Sequence, residues 1–399
     1  MREVEGEAAE REQRVTPLEL FFDLVFVFGI TQVTTFLADD PTWGGLARGL
    51  LVLVALWWAW AAYAWLTNTL NPEEGAVRLV MFAVMAATLV ASLAVPGAFG
   101  DDGVLFGVAY FAVRALHLVL YAVAGRGDRD LLAAVATVTP TAVIGPVLLV
   151  VAGFLEGGWQ LSLWVVALTL DLLGGLFGRG RGWRVAPSHF AERHALVVII
   201  AIGESIVALG VGARGLELDV GEISAALLGI VVAAALWWSY FDWVSIVAER
   251  LVREAQGVAR ATLARDVYSY FHLPMVAGIV LFALGLKETL AHVGDDLGTI
   301  HAIGLCGGLA LYFAGHVLVR FRVSRTVGHG RPVAVVVLVA LIPVAVRVPA
   351  LGALALVSAA CVALIVYEAL RYREHRAQIR SARITGDDFP LRPASTRVR

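Results

Sequence analysis

Long apolar stretches joined by short polar connections make up most of this chain. A helix needs about 20 mainly apolar residues to cross the roughly 30 Å hydrocarbon core of a bilayer, and twelve stretches of this kind can be counted. The pattern predicts an all-α integral membrane protein with about 12 transmembrane helices. They cover approximately residues 18–38, 46–68, 77–96, 104–124, 131–151, 159–178, 194–213, 222–246, 266–286, 298–319, 332–348 and 352–370.

The pattern also repeats. The Leu-Trp-Trp triplet at 56–58 returns 180 residues later at 236–238, and the polar stretch Glu19–Asp23 corresponds to Glu192–His194. We predict two tandem six-helix repeats, whose pseudo-symmetric interior is where transporters and channels commonly place their sites. The predicted parts are a polar cytoplasmic tail at 1–16, a first repeat at 17–180, a second at 181–371 and a basic cytoplasmic tail at 372–399.

Composition and charge agree with a membrane protein. Hydrophobic residues make up 59% of the chain, charged residues 16%, and the mean hydropathy is +0.79, which is more apolar surface than a soluble domain buries. Of the 31 Lys and Arg residues, 26 fall in the two tails and the even-numbered connections. Positively charged connections stay on the cytoplasmic side, so both termini are expected there. We expect a multi-pass protein of the bacterial inner (plasma) membrane.

The two tails contain no candidate functional site. The first sixteen residues lack the apolar core of a cleavable signal. The eight Arg of the final 29 residues indicate contact with anionic lipid, so the lipid bilayer is the expected partner and no nucleic acid is. The sequence leaves open whether the chain forms a homo-oligomer.

Ionisable residues inside the predicted spans are the main functional candidates, because such groups usually face a bundle interior or an aqueous path. The expected ion or proton pathway consists of Glu204, Asp23, Glu19, Arg114, Asp171 and Asp242. Glu204 is the strongest candidate, since it lies near the middle of the seventh span, where the first has Thr31 and Gln32. Arg114 needs a carboxylate, from Glu204 or Asp171, and the pair could instead be a structural link between the repeats.

A dense polar group precedes the seventh span: His189, Glu192, Arg193 and His194. It is expected to form a network at the cytoplasmic mouth of that helix. His189 and His194 are five residues apart, whereas four places two ligands on one helical face, so no metal site is predicted. The aromatic residues of the second and eighth spans could line a cavity for a hydrophobic or cationic ligand, but packing between the repeats explains them better.

Sequence motifs of the common nucleotide-binding proteins and hydrolases are absent or lie in the wrong structural context. The glycine pattern at 210–215 fits dinucleotide binding, yet it ends a predicted membrane helix instead of joining a strand to a helix. There is no Walker A sequence, no HExxH pair and no nucleophile elbow. We therefore predict no cofactor, and an enzyme is the less favoured class.

Two segments resemble a known family. The residues TPLELFFDLVFV at 16–27, and HFAERH at 189–194 running to IGESI at 202–206, are similar to the bacterial low temperature requirement protein A family. The resemblance implies a multi-span inner-membrane protein and no particular substrate. Phe21-Phe22-Asp23 also resembles, more weakly, the Phe-Ser-Asp motif of potassium channels built from six-helix repeats, but the seventh span has no such motif.

The preferred hypothesis is a secondary transporter or a proton- or cation-coupled permease for an unknown small ion or metabolite. One alternative is a cation channel of two six-helix repeats. Another is a membrane enzyme acting on lipid or isoprenoid substrates, which would require Glu19, Asp23, Glu192 and His194 to converge. A purely structural or signalling membrane protein also remains open.

Overall fold

The computed structural model describes residues 14–177, 182–213 and 219–373, which are 83% helical with no β-strand among them. Eleven helices in these ranges are long and apolar enough to cross a membrane, and Gly330–Ala345 is a shorter apolar helix of 16 residues. The expected all-α membrane class is confirmed. Nearly all of the two predicted tails lies outside the described residues, and the cytoplasmic placement of the termini stays a prediction.

Each predicted apolar segment coincides with a helix. In chain order they are α1 Pro17–Asp39, α2 Trp43–Leu66, α3 Gly75–Leu93, α4 Gly103–Ala124, α5 Arg129–Ala152, α6 Gly157–Phe177, α7 Pro187–Gly212, α8 Val220–Glu254, α9 Gly257–Ala291, α10 Thr299–Ser324, α11 Gly330–Ala345 and α12 Ala350–Arg371.

Helix α1 begins at a capping box. The Thr16 side chain accepts a hydrogen bond from the Glu19 backbone N–H, and the Glu19 carboxylate accepts one from the Thr16 N–H at 2.9 Å. Pro17 occupies the first helical position, where its missing N–H costs nothing. The cap fixes where the first turn starts, and it therefore sets which face of α1 carries Glu19.

Helix α7 begins earlier than the apolar pattern indicates, at Pro187 instead of residue 194. The polar residues His189 and Arg193 therefore lie inside its first two turns, because acidic side chains of α1 compensate them there. Helix α8 likewise continues to Glu254, and the paired charges of Arg250 and Glu254 support its polar end.

Three helices of the second half contain a π-helical turn. These turns are Tyr240–Val244 in α8, Arg265–Tyr270 in α9 and Ile303–Gly307 in α10. In such turns the backbone hydrogen bonds span five residues instead of four, and the turns occur frequently at functional sites. In the first half, the described helices α1 to α5 are uninterrupted α-helices, even though α5 contains Pro140 and Pro146.

The order of neighbouring helices is the same in both halves. In residues 14–177, α1 packs on α2 and α3, the helices α3 to α6 pack in succession, and α2 packs on α6. In the second half, α7 packs on α8 and α9, the helices α9 to α12 pack in succession, and α8 packs on α12. The two halves meet where α1 and α2 contact α7 and α9.

The two Leu-Trp-Trp triplets have different surroundings. Trp57 is fully buried, and its indole N–H donates to the Ser269 carbonyl of α9 at 2.8 Å. Its counterpart Trp237 is 47% exposed on the outside of the bundle. The aromatic residues of α2 therefore fill the junction between the halves, whereas Trp237 and Trp238 do not.

Candidate ion pathway and adjacent cavity

A buried network of charges joins α1 to α7. Arg193 donates to Glu19 at 2.8 Å from Nη1 and to Asp23 at 2.6 Å from Nη2, and His189 Nε2 lies 3.0 Å from Glu19 Oε1. Glu19, Asp23 and Arg193 have no measurable exposure. Buried charges persist only when paired and hydrogen-bonded, and here both acids share the Arg193 guanidinium. The network therefore fixes how the first helices of the two halves sit against each other.

Helical spacing explains why these four groups meet. Glu19 and Asp23 are four residues apart on α1, and His189 and Arg193 are four apart on α7, so each pair projects from one helical face. Helix α2 supports the arrangement, because the Trp60 indole N–H donates to Asp23 Oδ1 at 2.8 Å. The structure thus brings together the predicted candidates Glu19, Asp23, Arg193 and His189.

The remaining residues of the predicted mouth lie elsewhere. Glu192 is exposed, and its carboxylate accepts a hydrogen bond from the Val15 backbone at 3.3 Å. His194 is buried against Trp60 and Tyr268, with its Nδ1 atom 2.8 Å from the Phe190 carbonyl. The four groups required for an enzyme site do not converge, because Glu192 points away from the face that carries Glu19 and Asp23.

Glu204 lies further along the same pair of helices. Its Oε2 atom accepts a hydrogen bond of 2.6 Å from the Thr31 hydroxyl, and its side chain is almost fully buried. Among the residues that the structure describes, no cation lies within ion-pair distance of Glu204, although the charge of Lys287 on α9 acts on it from further away. Thr31, which occupies the place on α1 that corresponds to Glu204 in the sequence pattern, is thus in direct contact with it.

Arg114 and Asp171 form an ion pair between α4 and α6. Arg114 Nη2 lies 2.7 Å from Asp171 Oδ1, and the Tyr110 hydroxyl donates to Asp171 Oδ2 at 3.1 Å. Of the two acids that sequence left open for Arg114, the structure places Asp171 beside it. Both residues belong to the first half, so this pair does not link the two halves.

A cavity of about 100 Å³ lies beside this ion pair. Helices α2, α4, α5 and α6 form most of its wall, and residues 261–269 of α9 close it from the other half. Trp58, Trp65 and Trp183 provide aromatic surfaces, while Arg114 and Asp171 provide charge. The surface of the cavity is therefore mainly apolar, and its charged groups come from α4, α6 and α9.

The second half contains several buried polar groups that the sequence reasoning missed. The Tyr240 hydroxyl lies 2.8 Å from His272 Nε2, and Arg331 Nη1 lies 3.0 Å from His316 Nδ1. Arg331 also pairs with Glu368 at 2.8 Å. One signal was available for this last pair: α11 and α12 are joined by a short turn, so the start of α11 must lie beside the end of α12.

Asp242, the last predicted pathway residue, lies in the π-helical turn of α8 and is half-buried. The part of the chain that the structure describes contains no group of three or more His, Cys, Asp or Glu residues arranged to hold a metal ion.

Comparison with known proteins gives one family and one relative. The sequence model of the bacterial low temperature requirement A protein (LtrA) matches residues 14–366. An uncharacterized protein of Rhizobium meliloti (strain 1021) is 34% identical over 326 residues, which is 77% of each chain. No solved structure matches this chain. The family match covers all twelve helices except the end of α12.

Proposed function

This chain belongs to the bacterial low temperature requirement A protein family, and we propose that it is a secondary transporter of the bacterial inner membrane that couples a small solute to protons or cations. Glu204 is the proposed coupling group. Ionisable residues within membrane helices that lack a fixed counter-charge commonly belong to proton relays of pumps and transporters. The similar order of neighbouring helices in the two halves supports a duplicated architecture.

The observation that carries the proposal is the pairing of Glu204 with a hydroxyl instead of a cation. The 2.6 Å hydrogen bond from Thr31 satisfies one carboxylate oxygen, but it supplies no positive charge. Protonation of Glu204 would remove a charge buried between α1 and α7, which belong to different halves. A change in charge at that contact would favour one arrangement of the halves over another, as alternating access requires.

Flux in proteoliposomes tests the coupling. A pH-sensitive dye inside the vesicles reports proton movement while a panel of cations and small metabolites is applied outside. We expect saturable, solute-dependent proton flux from the native chain and at least a tenfold loss in Glu204→Gln, which keeps the size and the hydrogen bond but cannot take up a proton. Flux that survives in Glu204→Gln with unchanged pH dependence would remove Glu204 from the coupling role.

Glu156→Gln is the matched control, because it makes the same chemical change at an exposed carboxylate before α6. Its flux should equal that of the native chain. Recording from planar bilayers separates the transporter from a cation channel, since a channel gives open-state currents that do not saturate with a coupled solute. Such currents would contradict the proposal.

A further inference from the structure

We propose that the turn between α10 and α11 is a binding site for the headgroup of an anionic phospholipid. This turn, residues 325–329, carries Arg325 and packs against Arg320 in the last turns of α10. Basic pockets between membrane helices bind the phosphate groups of acidic lipids. The site lies apart from the expected ion pathway and does not rest on the proposed function.

Arg320 is held in place by packing while part of its guanidinium stays available. Its central carbon lies 5.6 Å from the centre of the Trp243 ring of α8. Gly328 packs so closely that a Cβ atom there would approach the same carbon to 2.9 Å. Arg320 is half-buried: its Nε atom is enclosed, whereas Nη1 and Nη2 are not, and no hydrogen bond within the described chain uses them. An oriented pair of N–H donors is therefore accessible to an anion.

The protein leaves two positive charges at this turn without an acid. No Asp or Glu occurs between residues 297 and 367. Arg320 and Arg325, about 8 Å apart along the helix axis, have no ion pair in the ranges that the structure describes. Two neighbouring arginines do have acidic partners, in the pairs Arg322–Asp266 and Arg331–Glu368. The unpaired charges therefore favour an anionic ligand.

The surface beside the turn is apolar, as the chains of a phospholipid require. The guanidinium carbon of Arg325 lies 5.9 Å from the centre of the Phe321 ring, which is 45% exposed. Both helices that meet at the turn expose large apolar side chains close to it, namely Leu318, Val333, Val336 and Val337. A phospholipid combines a charged headgroup with apolar chains, whereas a free phosphate would use the arginines alone. The arrangement thus favours the lipid.

A fluorescent label at the turn tests the proposal. Thr326 is exposed and both native cysteines are buried, so Thr326→Cys is labelled selectively. The labelled full chain is reconstituted into bilayers with increasing fractions of brominated phosphatidylglycerol or brominated phosphatidylcholine, which quench the label on contact. We expect at least tenfold tighter association of phosphatidylglycerol, because each arginine near the surface favours an acidic lipid about fivefold. Equal quenching by the two lipids would overturn the proposal.

Three variants of the labelled chain locate the site. Arg320→Gln and Arg325→Gln should each lower the preference for phosphatidylglycerol about fivefold. The Arg325 side chain is exposed, so its variant decides the matter if Arg320→Gln, which loses packing on Trp243, does not fold. Arg347→Gln is the matched control, since Arg347 is exposed just beyond the other end of α11. Equal effects of Arg325→Gln and Arg347→Gln would contradict the assignment.

Inorganic phosphate separates the lipid from a soluble anion with the same chemistry. Excess phosphate should leave the quenching by phosphatidylglycerol unchanged, because the apolar chains keep the lipid beside the turn. Potassium chloride at the same ionic strength controls for screening of the arginines. Displacement by phosphate but not by chloride would assign the site to a soluble phosphate and overturn the lipid proposal.

Discussion

Two places along the contact between α1 and α7 handle a buried carboxylate in different ways. Near the start of both helices, Glu19 and Asp23 face Arg193, with His189 as a further donor. Thr31 lies eight residues beyond Asp23, about 12 Å further along α1. There Glu204 has a hydroxyl partner and, within the described ranges, no directly paired cation. The same two helices thus carry a compensated cluster, in which two acids share a guanidinium, and an acid that has a hydroxyl as its hydrogen-bond partner.

The difference separates a structural role from a switchable one. A carboxylate held by a guanidinium stays ionised, because giving it a proton would leave the buried cation unpaired. A carboxylate held by a hydroxyl can exist in either state, since the hydroxyl can donate to the anion or accept from the acid. We infer that the compensated cluster holds the halves together while Glu204 changes its charge.

The largest expected effect comes from Arg193→Gln, which strips the cation from two buried acids at once. Removal of one partner from a buried ion pair costs about 3–5 kcal/mol, and Arg193 should lie at the upper end of that range because it serves both Glu19 and Asp23. Unfolding in mixed detergent micelles, titrated with dodecyl sulfate, measures the loss.

Arg253→Gln is the control for that experiment, since Arg253 pairs with Glu249 at the exposed end of α8. Exposed pairs contribute about 0–1 kcal/mol, so this variant should unfold almost as the native chain does. If the two arginine variants lost the same stability, the α1–α7 cluster would not be the structural link described above.

Much of this architecture could be predicted from the sequence. Apolar length marks membrane helices because the bilayer fixes that length, and each of the twelve segments coincides with a helix. The four-residue spacing of Glu19 and Asp23 correctly placed both acids on one face of α1. Family membership, read from residues 16–27 and 189–206, is also confirmed. These features depend on neighbours along one helix or on one local motif.

Contacts between neighbouring helices could not be predicted from the sequence in the same way. The choice between Glu204 and Asp171 as partner of Arg114 depends on which helices lie beside α4, and no local pattern encodes that. The same reason applies to the Leu-Trp-Trp triplets, which are identical in sequence, although their two tryptophans are buried in α2 and exposed in α8. The start of α7 was also placed too late, because the charges of its first turns break the apolar pattern, and their pairing with Glu19 of α1 is a contact between helices.

The second prediction concerns the buried ion pair between Arg114 and Asp171 in the first half. Arg114→Gln leaves Asp171 buried without its cation, and we expect a loss of about 3 kcal/mol by the rule for broken buried pairs. Adding Asp171→Asn removes the stranded charge, so the double variant should recover at least half of that loss. The same dodecyl sulfate titration on the native chain, both single variants and the double variant gives the coupling free energy.

Recovery in the double variant would show that Asp171 requires Arg114 chiefly for charge compensation, as the α1–α7 acids require Arg193. A double variant that is less stable than either single variant would indicate that the pair positions α4 against α6 through hydrogen bonds that amides cannot replace. In that case the Arg114–Asp171 pair would act mainly through its hydrogen bonds, whereas the Arg193 cluster acts through charge compensation.

The smallest effect is expected for Trp60→Phe at the compensated end of the α1–α7 contact. The substitution keeps a ring against His194 but removes the indole N–H that donates to Asp23 at 2.8 Å. A hydrogen bond to a charged group is worth about 1.5–3 kcal/mol, and a loss near 2 kcal/mol is expected because Arg193 continues to hold Asp23. Trp237→Phe makes the same change on the exposed face of α8 and should cost almost nothing. If both substitutions were neutral in the dodecyl sulfate titration, Arg193 alone would be sufficient to hold Asp23, and α2 would contribute only packing to this end of the contact.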